Sequence, residues 1–172
     1  LNRLVTNALL YAKLRILNYV PEQAKTRKGE ECTQIKPCIE QIALQKAQDV
    51  QRRHDLVVDV QDMTLRVSAD NLEKILEEVL DNAFKFSQAG TSVRVMALSE
   101  GNHCVLTISD QGCGMTPDQI AKIEAYTQFD RKQYEQQGLG LGLIIAYLLA
   151  LWEGGTFLIT SEPQHGTTVS IR

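Results

Sequence analysis

The sequence predicts an α/β (α+β) fold, a two-layer sandwich in which helices cover one mixed β-sheet. Three observations support this prediction. Stretches with helical periodicity are interleaved with stretches in which every second residue is apolar. The predicted strands cluster towards the end of the sequence. The chain has 172 residues, of which 44% are hydrophobic and 23% charged, and this composition is typical of one globular domain with a sizeable core.

Charge and composition exclude several kinds of partner. The formal net charge is -3, so the chain has no basic field for nucleic acid or an anionic membrane, and we expect contact with neither. The longest apolar run, from Leu139 to Trp152, is shorter than the roughly 20 residues of a membrane-spanning helix. The four cysteines show no paired spacing, which indicates reduced thiols and a cytoplasmic protein.

The chain begins with a helix that needs partners on more than one side. Residues 1–18 carry apolar side chains nearly all round this predicted helix. Pro21 and a charged, glycine-containing stretch then predict a linker over residues 21–31, and the main domain is expected over residues 32–172. The first residue is Leu1 rather than methionine, so we expect the chain to be part of a longer protein.

The main domain is predicted to alternate helices with pairs of strands. Asp70 or Asn71 is expected to cap the second of its helices, and a mobile, glutamine-rich polar stretch occupies residues 116–137. In chain order the predicted elements are helix 37–53, strands 55–62 and 65–70, helix 70–87, hairpin strands 92–100 and 103–110, helix 141–152, and strands 155–161 and 166–172.

The helix over residues 70–87 carries a polar row beside its apolar stripe. Glu78, Asn82 and Lys85 are spaced four and three residues apart, so an acid, an amide and an ammonium group border the core. Asn is a poor helix former, and Asn82 in mid-helix therefore indicates a function. The alternative is an ordinary solvated face. The apolar stripe consists of Leu72, Ile75, Leu76, Val79, Ala83 and Phe86.

The stretch DQGCGM, which begins at Asp110, follows the second hairpin strand. Counting by twos, Asp110 shares the apolar face of its strand with Leu106 and Ile108, and a carboxylate that points inward needs a donor. Gly112 and Gly114 allow the backbone to come close to a ligand. The alternative is a turn in which Asp110 caps its own backbone.

The stretch GLGLGL, from Gly138 to Leu143, opens the last predicted helix. It lacks both the terminal lysine of a Walker loop and the spacing of a dinucleotide-binding fold. Amide groups at the N-terminus of a helix attract anions, so this glycine-rich stretch predicts a phosphate site. The alternative is that its glycines serve tight packing alone.

The order of these motifs resembles that of the GHKL ATPases, and most closely the catalytic ATP-binding domain of bacterial sensor histidine kinases of two-component signal transduction. LDNAFKFS is similar to the asparagine box of the family, DQGCGM to its first glycine box, QFD to a reduced phenylalanine box, GLGLGL to its second glycine box and GTTVSIR to its terminal strand. The resemblance covers residues 32–172 and implies a Bergerat-type ATP-binding fold. Residues 1–20 are similar to the end of the dimerisation and phosphoacceptor helix.

The resemblance also implies roles for individual residues. Asn82 would be a ligand of Mg²⁺, and Glu78 would be either a catalytic base or a second metal ligand. Asp110 would accept a hydrogen bond from the adenine amino group, and residues 116–137 would be the ATP lid. The other residues implied in ATP binding are Lys85 at the phosphates, Phe86 along the nucleotide, Gly112, Gly114, Met115 and Thr167 around the base, Phe129, Arg131 and Lys132 in the lid, and Gly138, Leu139, Gly140 and Leu141 around the triphosphate.

These roles imply a histidine protein kinase, a phosphotransferase that uses ATP and Mg²⁺. The γ-phosphoryl group would pass to a histidine outside this chain, and from there to the receiver domain of a response regulator. We expect the acceptor on the phosphoacceptor helical hairpin of a homodimeric parent protein, because His54, His103 and His165 lack the sequence context of a phosphoacceptor.

Two departures from the family pattern leave alternatives open. Glu78 stands where histidine kinases commonly carry Asn, and Leu139 stands where they carry Thr. Glutamate at the first of these places is what the hydrolytic relatives use to activate water. The alternatives are therefore a GHKL-type ATPase and a degenerate, nucleotide-responsive module that binds a partner, and a titration with ATP separates the module from the enzymes.

Overall fold

The structure of the chain, a computed structural model, describes residues 2–18, 31–32, 34–101, 103–125 and 141–172. Its helices are α1 (Asn2–Asn18), α2 (Ile35–Asp49), α3 (Ala69–Phe86), α4 (Pro117–Ala125) and α5 (Leu141–Trp152). Its strands are β1 (Glu31–Cys32), β2 (Leu56–Val60), β3 (Leu65–Arg66), β4 (Val93–Glu100), β5 (His103–Ser109), β6 (Phe157–Glu162) and β7 (Gly166–Ile171). A 3₁₀ turn, Arg53–Asp55, precedes β2.

Five strands form the main sheet in the order β2-β4-β5-β7-β6. β2 runs parallel to β4 and the other neighbours are antiparallel, so the predicted mixed sheet is confirmed. In its centre Val95 of β4 lies opposite Ile108 of β5, and Ile108 lies opposite Val169 of β7. All three side chains are buried, which places the hydrophobic core on this face of the sheet.

Helices α2, α3 and α5 form the second layer of the predicted sandwich. α3 contacts α2, α5 and β5, while α2 contacts β2 and α5 contacts β6. The apolar stripe predicted for α3 is buried from Leu72 to Ala83. Phe86, the last residue of that stripe and of the helix, is instead 46% exposed. The C-terminal end of α3 therefore presents an aromatic ring at the surface of the domain.

Two elements of the first half differ from the prediction. α2 ends at Asp49 rather than at residue 53, because Gln51 takes a left-handed backbone conformation with φ of 58° and the Arg52 side chain turns towards the end of α3. The strand predicted over residues 65–70 is reduced to the two residues of β3, which pair with β1 in a separate two-stranded sheet. Both differences arise from contacts between segments distant in sequence.

The start of α3 also differs from the prediction. Ser68 occupies the N-cap position, and its side chain makes no capping hydrogen bond. The predicted caps, Asp70 and Asn71, both lie inside the first turn. The Asn71 amide donates a hydrogen bond to the carboxylate of Glu153, at the end of α5. A tertiary contact has replaced the local capping bond that the sequence predicts.

Helix α4 occupies the first part of the stretch that was predicted to be irregular. The backbone N–H of Thr116 donates to Gln119 Oε1 at 2.8 Å, and the backbone N–H of Gln119 donates to Thr116 Oγ1 at 3.3 Å. These reciprocal bonds form a capping box, and Pro117 is the first helical residue, where proline is favoured. The sequence TPDQ therefore carried a helix-start signal that the polar composition obscured.

Helix α1 lies against α5 and buries one of its sides. Tyr11 and Leu14 belong to the core, whereas Val5 and Leu9 are 53% and 68% exposed. Of the predicted linker, residues 21–30 lie outside the described residues, and Glu31 begins β1. None of the helices in the described ranges combines the length and the apolar character that a membrane crossing requires.

Candidate functional site

A cavity of about 180 Å³ opens between α3, the loop after β5, α4 and β7. Its walls are mainly apolar, and polar groups enter it from different elements of the fold. Such a combination is typical of a small-molecule site. The lining residues are Val79, Asn82, Ala83, Phe86, Ile108, Asp110, Cys113, Gly114, Met115, Gln119, Ile123, Leu143, Thr167 and Val169.

Helix α3 brings Asn82 to the wall of this cavity. Its side-chain amide Nδ2 donates a hydrogen bond of 2.8 Å to the backbone oxygen of Glu78, one turn earlier. This bond to a backbone oxygen of the helix fixes the orientation of the side chain. It leaves the amide oxygen, Oδ1, available to accept a hydrogen bond or to bind a cation.

The carboxylate of Asp110 enters the same cavity from the end of β5. Its Oδ1 accepts a hydrogen bond of 2.7 Å from the backbone N–H of Gly112, and its own backbone N–H donates to the Thr167 oxygen at 2.9 Å. Burial raises the pKa of the Asp110 carboxyl, while the backbone hydrogen bonds from Gly112 and Thr167 lower it, with burial dominant. The local turn expected as the alternative is therefore present, and Asp110 lines the cavity as well.

The loop after Asp110 is held so tightly that side chains would not fit. A Cβ atom on Gly112 would lie 2.3 Å from the backbone oxygen of Phe86, and one on Gly114 would lie 1.9 Å from the backbone oxygen of Glu162. Gly114 also has a positive φ of 64°, which favours glycine. The two glycines thus let the loop pass between the end of α3 and the β6–β7 hairpin.

A hydroxyl group fixes the far side of the loop. Ser161 Oγ accepts a hydrogen bond of 2.8 Å from the backbone N–H of Met115, and it donates one of 2.7 Å to the backbone oxygen of Gly166. Thr167 Oγ1 lies 3.0 Å from Ser161 Oγ. Ser161 therefore connects two predicted site residues, Met115 and Thr167, and the sequence analysis did not single it out.

The three members of the polar row on α3 differ in their surroundings. Glu78 is 2% exposed and Asn82 is half-buried, whereas Lys85 is exposed. The Lys85 ammonium lies 5.0 Å from the centroid of the Phe86 ring, within the range of a cation–π contact. Asn82 and Phe86 line the cavity, and Glu78 and Lys85 do not. The sequence predicts that all three residues border the core, but in the structure they differ in how deeply they are buried.

The Glu78 carboxylate lies under the first turn of α5. Its Oε1 accepts hydrogen bonds from Asn7 Nδ2 at 3.0 Å and from Lys74 Nζ at 2.6 Å. A Cβ atom on Gly142 would lie 2.3 Å from Glu78 Oε2. Tight packing, the alternative weighed for the second glycine stretch, therefore accounts for Gly142, and Leu141 beside it is half-buried against the core.

Several predicted site residues lie outside the described residues, and their roles stay predictions. They are Phe129, Arg131, Lys132, Gly138, Leu139 and Gly140. In the part of the chain that the structure describes, no group of three or more His, Cys, Asp or Glu side chains could hold a metal ion. Asn82 could offer its amide oxygen to a cation at this cavity.

The sequence predicted more of the polar residues of the cavity than of the apolar residues that form its wall. Periodicity could have found part of it: Val79 and Ala83 share a helix face with Asn82 and Phe86, and Ile108 precedes Asp110 by two positions in a strand. Gln119 and Ile123 were missed because α4 was not predicted. The remaining lining residues that were not singled out for the site are Cys113, Leu143 and Val169.

The chain is similar to a family of ATPases and to several histidine kinases. The family model "Histidine kinase-, DNA gyrase B-, and HSP90-like ATPase" matches residues 67–172. Histidine protein kinase DivJ of Caulobacter vibrioides is 32% identical over 111 residues, 63% of this chain and 19% of that protein. Sensor histidine kinase TmoS of Ectopseudomonas mendocina is 32% identical over 110 residues, 62% of this chain and 11% of that protein. The chain thus spans a fifth or less of the length of these relatives.

Solved structures give the same answer for the fold. The Acinetobacter baumannii histidine kinase AdeS aligns with a TM-score of 0.70 at 17% identity, over 99% of this chain and 76% of that one. The mycobacterial sensor histidine kinase MprB aligns with a TM-score of 0.66 at 27% identity, over 83% of this chain and 95% of that one. The α/β sandwich and the resemblance inferred from the sequence motifs are thereby confirmed. The chain belongs to the family of histidine kinase-, DNA gyrase B- and HSP90-like ATPases.

Proposed function

We propose that this chain is the catalytic, ATP-binding domain of a sensor histidine kinase. One observation carries the proposal: a carboxylate, Asp110, and a carboxamide, Asn82, reach one mainly apolar cavity from separate elements. A purine needs apolar walls and an acceptor for its amino group, while a polyphosphate needs a place for its metal counter-ion. The names of the relatives, DivJ and TmoS among them, support a kinase over other members of the family.

The base of the nucleotide would bind among the apolar side chains of the cavity. Val79, Ile108 and Val169 supply such walls, and Asp110 supplies an acceptor held in place by Gly112. A purine amino group that donates to Asp110 would be distinguished from an oxo group, because two acceptors facing each other repel. Thr167, Gly114 and Met115 would bound the same end of the cavity.

The phosphates and Mg²⁺ would bind near Asn82. Magnesium commonly takes only one or two protein ligands and keeps several waters, so a single amide oxygen suits it. The bound cation would neutralise charge on the phosphate oxygens. Lys85 would contact the phosphates and Phe86 would lie along the nucleotide. Gly138 to Leu141 would wrap the triphosphate, and Phe129, Arg131 and Lys132 would belong to the lid over it.

Phosphoryl transfer requires mainly positioning and charge neutralisation, which these groups would supply. The γ-phosphoryl group would pass to a histidine outside this chain, on a helical hairpin of a homodimeric, cytoplasmic protein region, and then to a response regulator. Glu78 would act as the base that takes a proton from the attacking imidazole. A purely hydrolytic ATPase would instead use Glu78 to activate water. In either role the Glu78 carboxylate, which is 2% exposed and does not line the cavity, would have to leave its contacts with Asn7 and Lys74.

Calorimetric titration with ADP and ATP, with and without Mg²⁺, tests the proposal. We expect the chain to bind both nucleotides, and Asn82→Ala to remove most of the gain in affinity that Mg²⁺ provides, roughly tenfold or more, as for other contacts to charged groups. Asn71→Ala is the matched control, because Asn71 lies on the same helix and its amide binds Glu153 instead. An equal Mg²⁺ gain in wild type and Asn82→Ala would remove the metal role, and absence of nucleotide binding would refute the proposed function.

A further inference from the structure

The side chain of Asn7 in α1 reaches across to Glu78 in α3. Its amide Nδ2 donates a hydrogen bond of 3.0 Å to Glu78 Oε1, and the two residues are 71 positions apart in the sequence. Asn7 is 7% exposed and Glu78 is 2% exposed, so this is a contact between two buried polar groups. Helix α1 therefore forms part of the immediate environment of the Glu78 carboxylate.

Three helices enclose that carboxylate. Lys74, one turn earlier on α3, brings its ammonium group to 2.6 Å from Oε1, and Gly142 of α5 leaves the space that Oε2 occupies. Tyr11 and Leu14 follow Asn7 at helical spacing of four and seven residues, and both are buried in the core. The packing of α1 through Tyr11 and Leu14 thus holds the Asn7 amide against Glu78.

Asn7 is a poor choice if packing were its only role. Its Oδ1 atom is buried without a hydrogen-bond partner among the described residues. A buried acceptor that is left unpaired destabilises a fold, and an apolar side chain of similar volume would avoid this cost. The donor group of Asn7, rather than its volume, therefore explains why an amide stands at this position.

The position of Glu78 matters because Asn82 is one helical turn away. Asn82 lines the cavity, but the Glu78 carboxylate does not, since its Oε1 is bound by Asn7 and Lys74. We propose that Asn7 is a positioning residue for Glu78: α1 packed on α5 holds the Oε1 atom outside the cavity, and α1 detached from α5 releases this atom from Asn7, so that the carboxylate can approach a cation bound at Asn82. This inference rests on the proposed function, which assigns Asn82 to the metal.

The proposal makes α1 and the metal-nucleotide site energetically coupled. A carboxylate that turns towards Asn82 adds a negative charge beside the cation, whether it binds the cation directly or through water. Detachment of α1 should then strengthen binding of ADP with Mg²⁺ but not binding of ADP alone. By reciprocity, ADP with Mg²⁺ should loosen α1.

Calorimetry on the whole chain tests this coupling through the ratio of the ADP dissociation constants measured without and with Mg²⁺. Asn7→Leu keeps the branched shape of the side chain and removes the donor, and we expect it to raise the ratio about fivefold, a common size for such coupling. Tyr11→Ala detaches α1 by other means and should have the same effect if Asn7→Leu folds poorly. Leu9→Ala, on the exposed side of α1, is the matched control and should leave the ratio unchanged.

The double variant Asn7→Leu with Glu78→Gln separates positioning from a general loss of structure. We expect it to return the ratio to the wild-type value, because glutamine carries no charge to the metal. A ratio unchanged in Asn7→Leu and Tyr11→Ala, or a rise that persists with Glu78→Gln, would overturn the inference while nucleotide binding stands. Wild type that binds no ADP would instead overturn the proposed function, and the inference with it.

Amide hydrogen exchange gives a readout that does not depend on affinity. In wild type we expect exchange in α1 to increase when ADP and Mg²⁺ are both added, and to stay the same when ADP is added alone. Glu78→Gln should remove this increase. Equal exchange in α1 under all conditions would contradict the coupling.

Discussion

At the scale of single residues, the Asp110 side chain is both partly buried and part of a cavity wall, an arrangement that rarely stabilises a protein. Its carboxyl group is partly buried, and burial raises its pKa above 3.8. One of its oxygens is bound by the Gly112 amide, while the side chain lines an apolar cavity. A carboxylate that is costly to bury and lies against a cavity is typical of a functional site.

Asp110→Asn should weaken binding of ADP by about 2 kcal/mol, close to thirtyfold, as for an unpaired buried donor. The substitution keeps the size of the side chain but places an NH₂ donor against the donor amino group of adenine. Calorimetry measures the loss, with Asp118→Asn on the exposed start of α4 as control. Equal affinity of the wild type for ATP and GTP would show that Asp110 does not read the base.

The same variant should stabilise the free protein at neutral pH. Because the pKa of Asp110 is raised on folding, the folded chain binds this proton more readily than the unfolded chain. Asp110 therefore lowers the stability as pH rises through its raised pKa, and it has no such effect below 3.8, where both states are protonated. Melting curves of wild type and Asp110→Asn should differ at pH 7 and converge as the pH is lowered. A difference in melting temperature that widens as the pH falls would contradict this direction of the pH dependence.

At the scale of elements, one arginine joins the end of α2 to the end of α3. Arg52 is buried, its Nε donates to Asp55 at 2.6 Å, and its guanidinium lies 5.3 Å from the centroid of the Phe84 ring. The hydrogen bond from Arg52 holds the pKa of the Asp55 carboxyl below its usual range. The remaining N–H groups donate to the backbone oxygens of Phe84, Ser87, Gln88 and Thr91. This network fixes the helix end that carries Asn82 and Phe86.

Arg52→Lys should lower the free energy of unfolding by about 3 kcal/mol, because one ammonium group cannot replace a planar fork of donors and leaves buried acceptors unpaired. Urea unfolding measures the loss. Arg53→Lys, on the exposed neighbouring residue, is the control and should change the stability by less than about 0.5 kcal/mol. A loss for Arg52→Lys no greater than that of the control would mean that the network is not required.

At the scale of the whole molecule, the three histidines lie on three different surface elements. His54 is in the 3₁₀ turn, His103 begins β5, and His165 is in the β6–β7 hairpin, where its Nδ1 lies 3.0 Å from the Pro163 oxygen. All three are exposed, and none of them lines the cavity. None of the three histidines is therefore part of the described wall of the proposed nucleotide site.

Incubation of this chain alone with γ-labelled ATP should give no acid-labile phosphoryl label. The proposed acceptor is a histidine of another segment, and none of the three histidines here lines the cavity. Mass spectrometry under neutral conditions checks each site. Label on His54 would contradict the assignment of the acceptor to a separate segment.

Much of this protein was determined by its sequence. Periods of 3.6 and 2 residues predicted α3, α5, the β4–β5 and β6–β7 hairpins and the inward direction of Asp110, because which side of an element is buried depends on neighbours within one turn or one strand. The order of the motifs likewise predicted the family. The start of α4 was also encoded locally, in the residues TPDQ, although we did not predict a helix from this signal.

Only the tertiary structure decided what depends on contacts between distant segments. The Asn71 amide binds Glu153 rather than capping its own helix, and Arg52 ends α2 by binding the end of α3. Glu78 and Asn82 are one turn apart on the same helix face, but their surroundings differ. Asn7 of α1 covers Glu78, and a cavity opens beside Asn82. A local pattern predicts which side of an element is buried. The packing of the whole chain determines which other element covers that side.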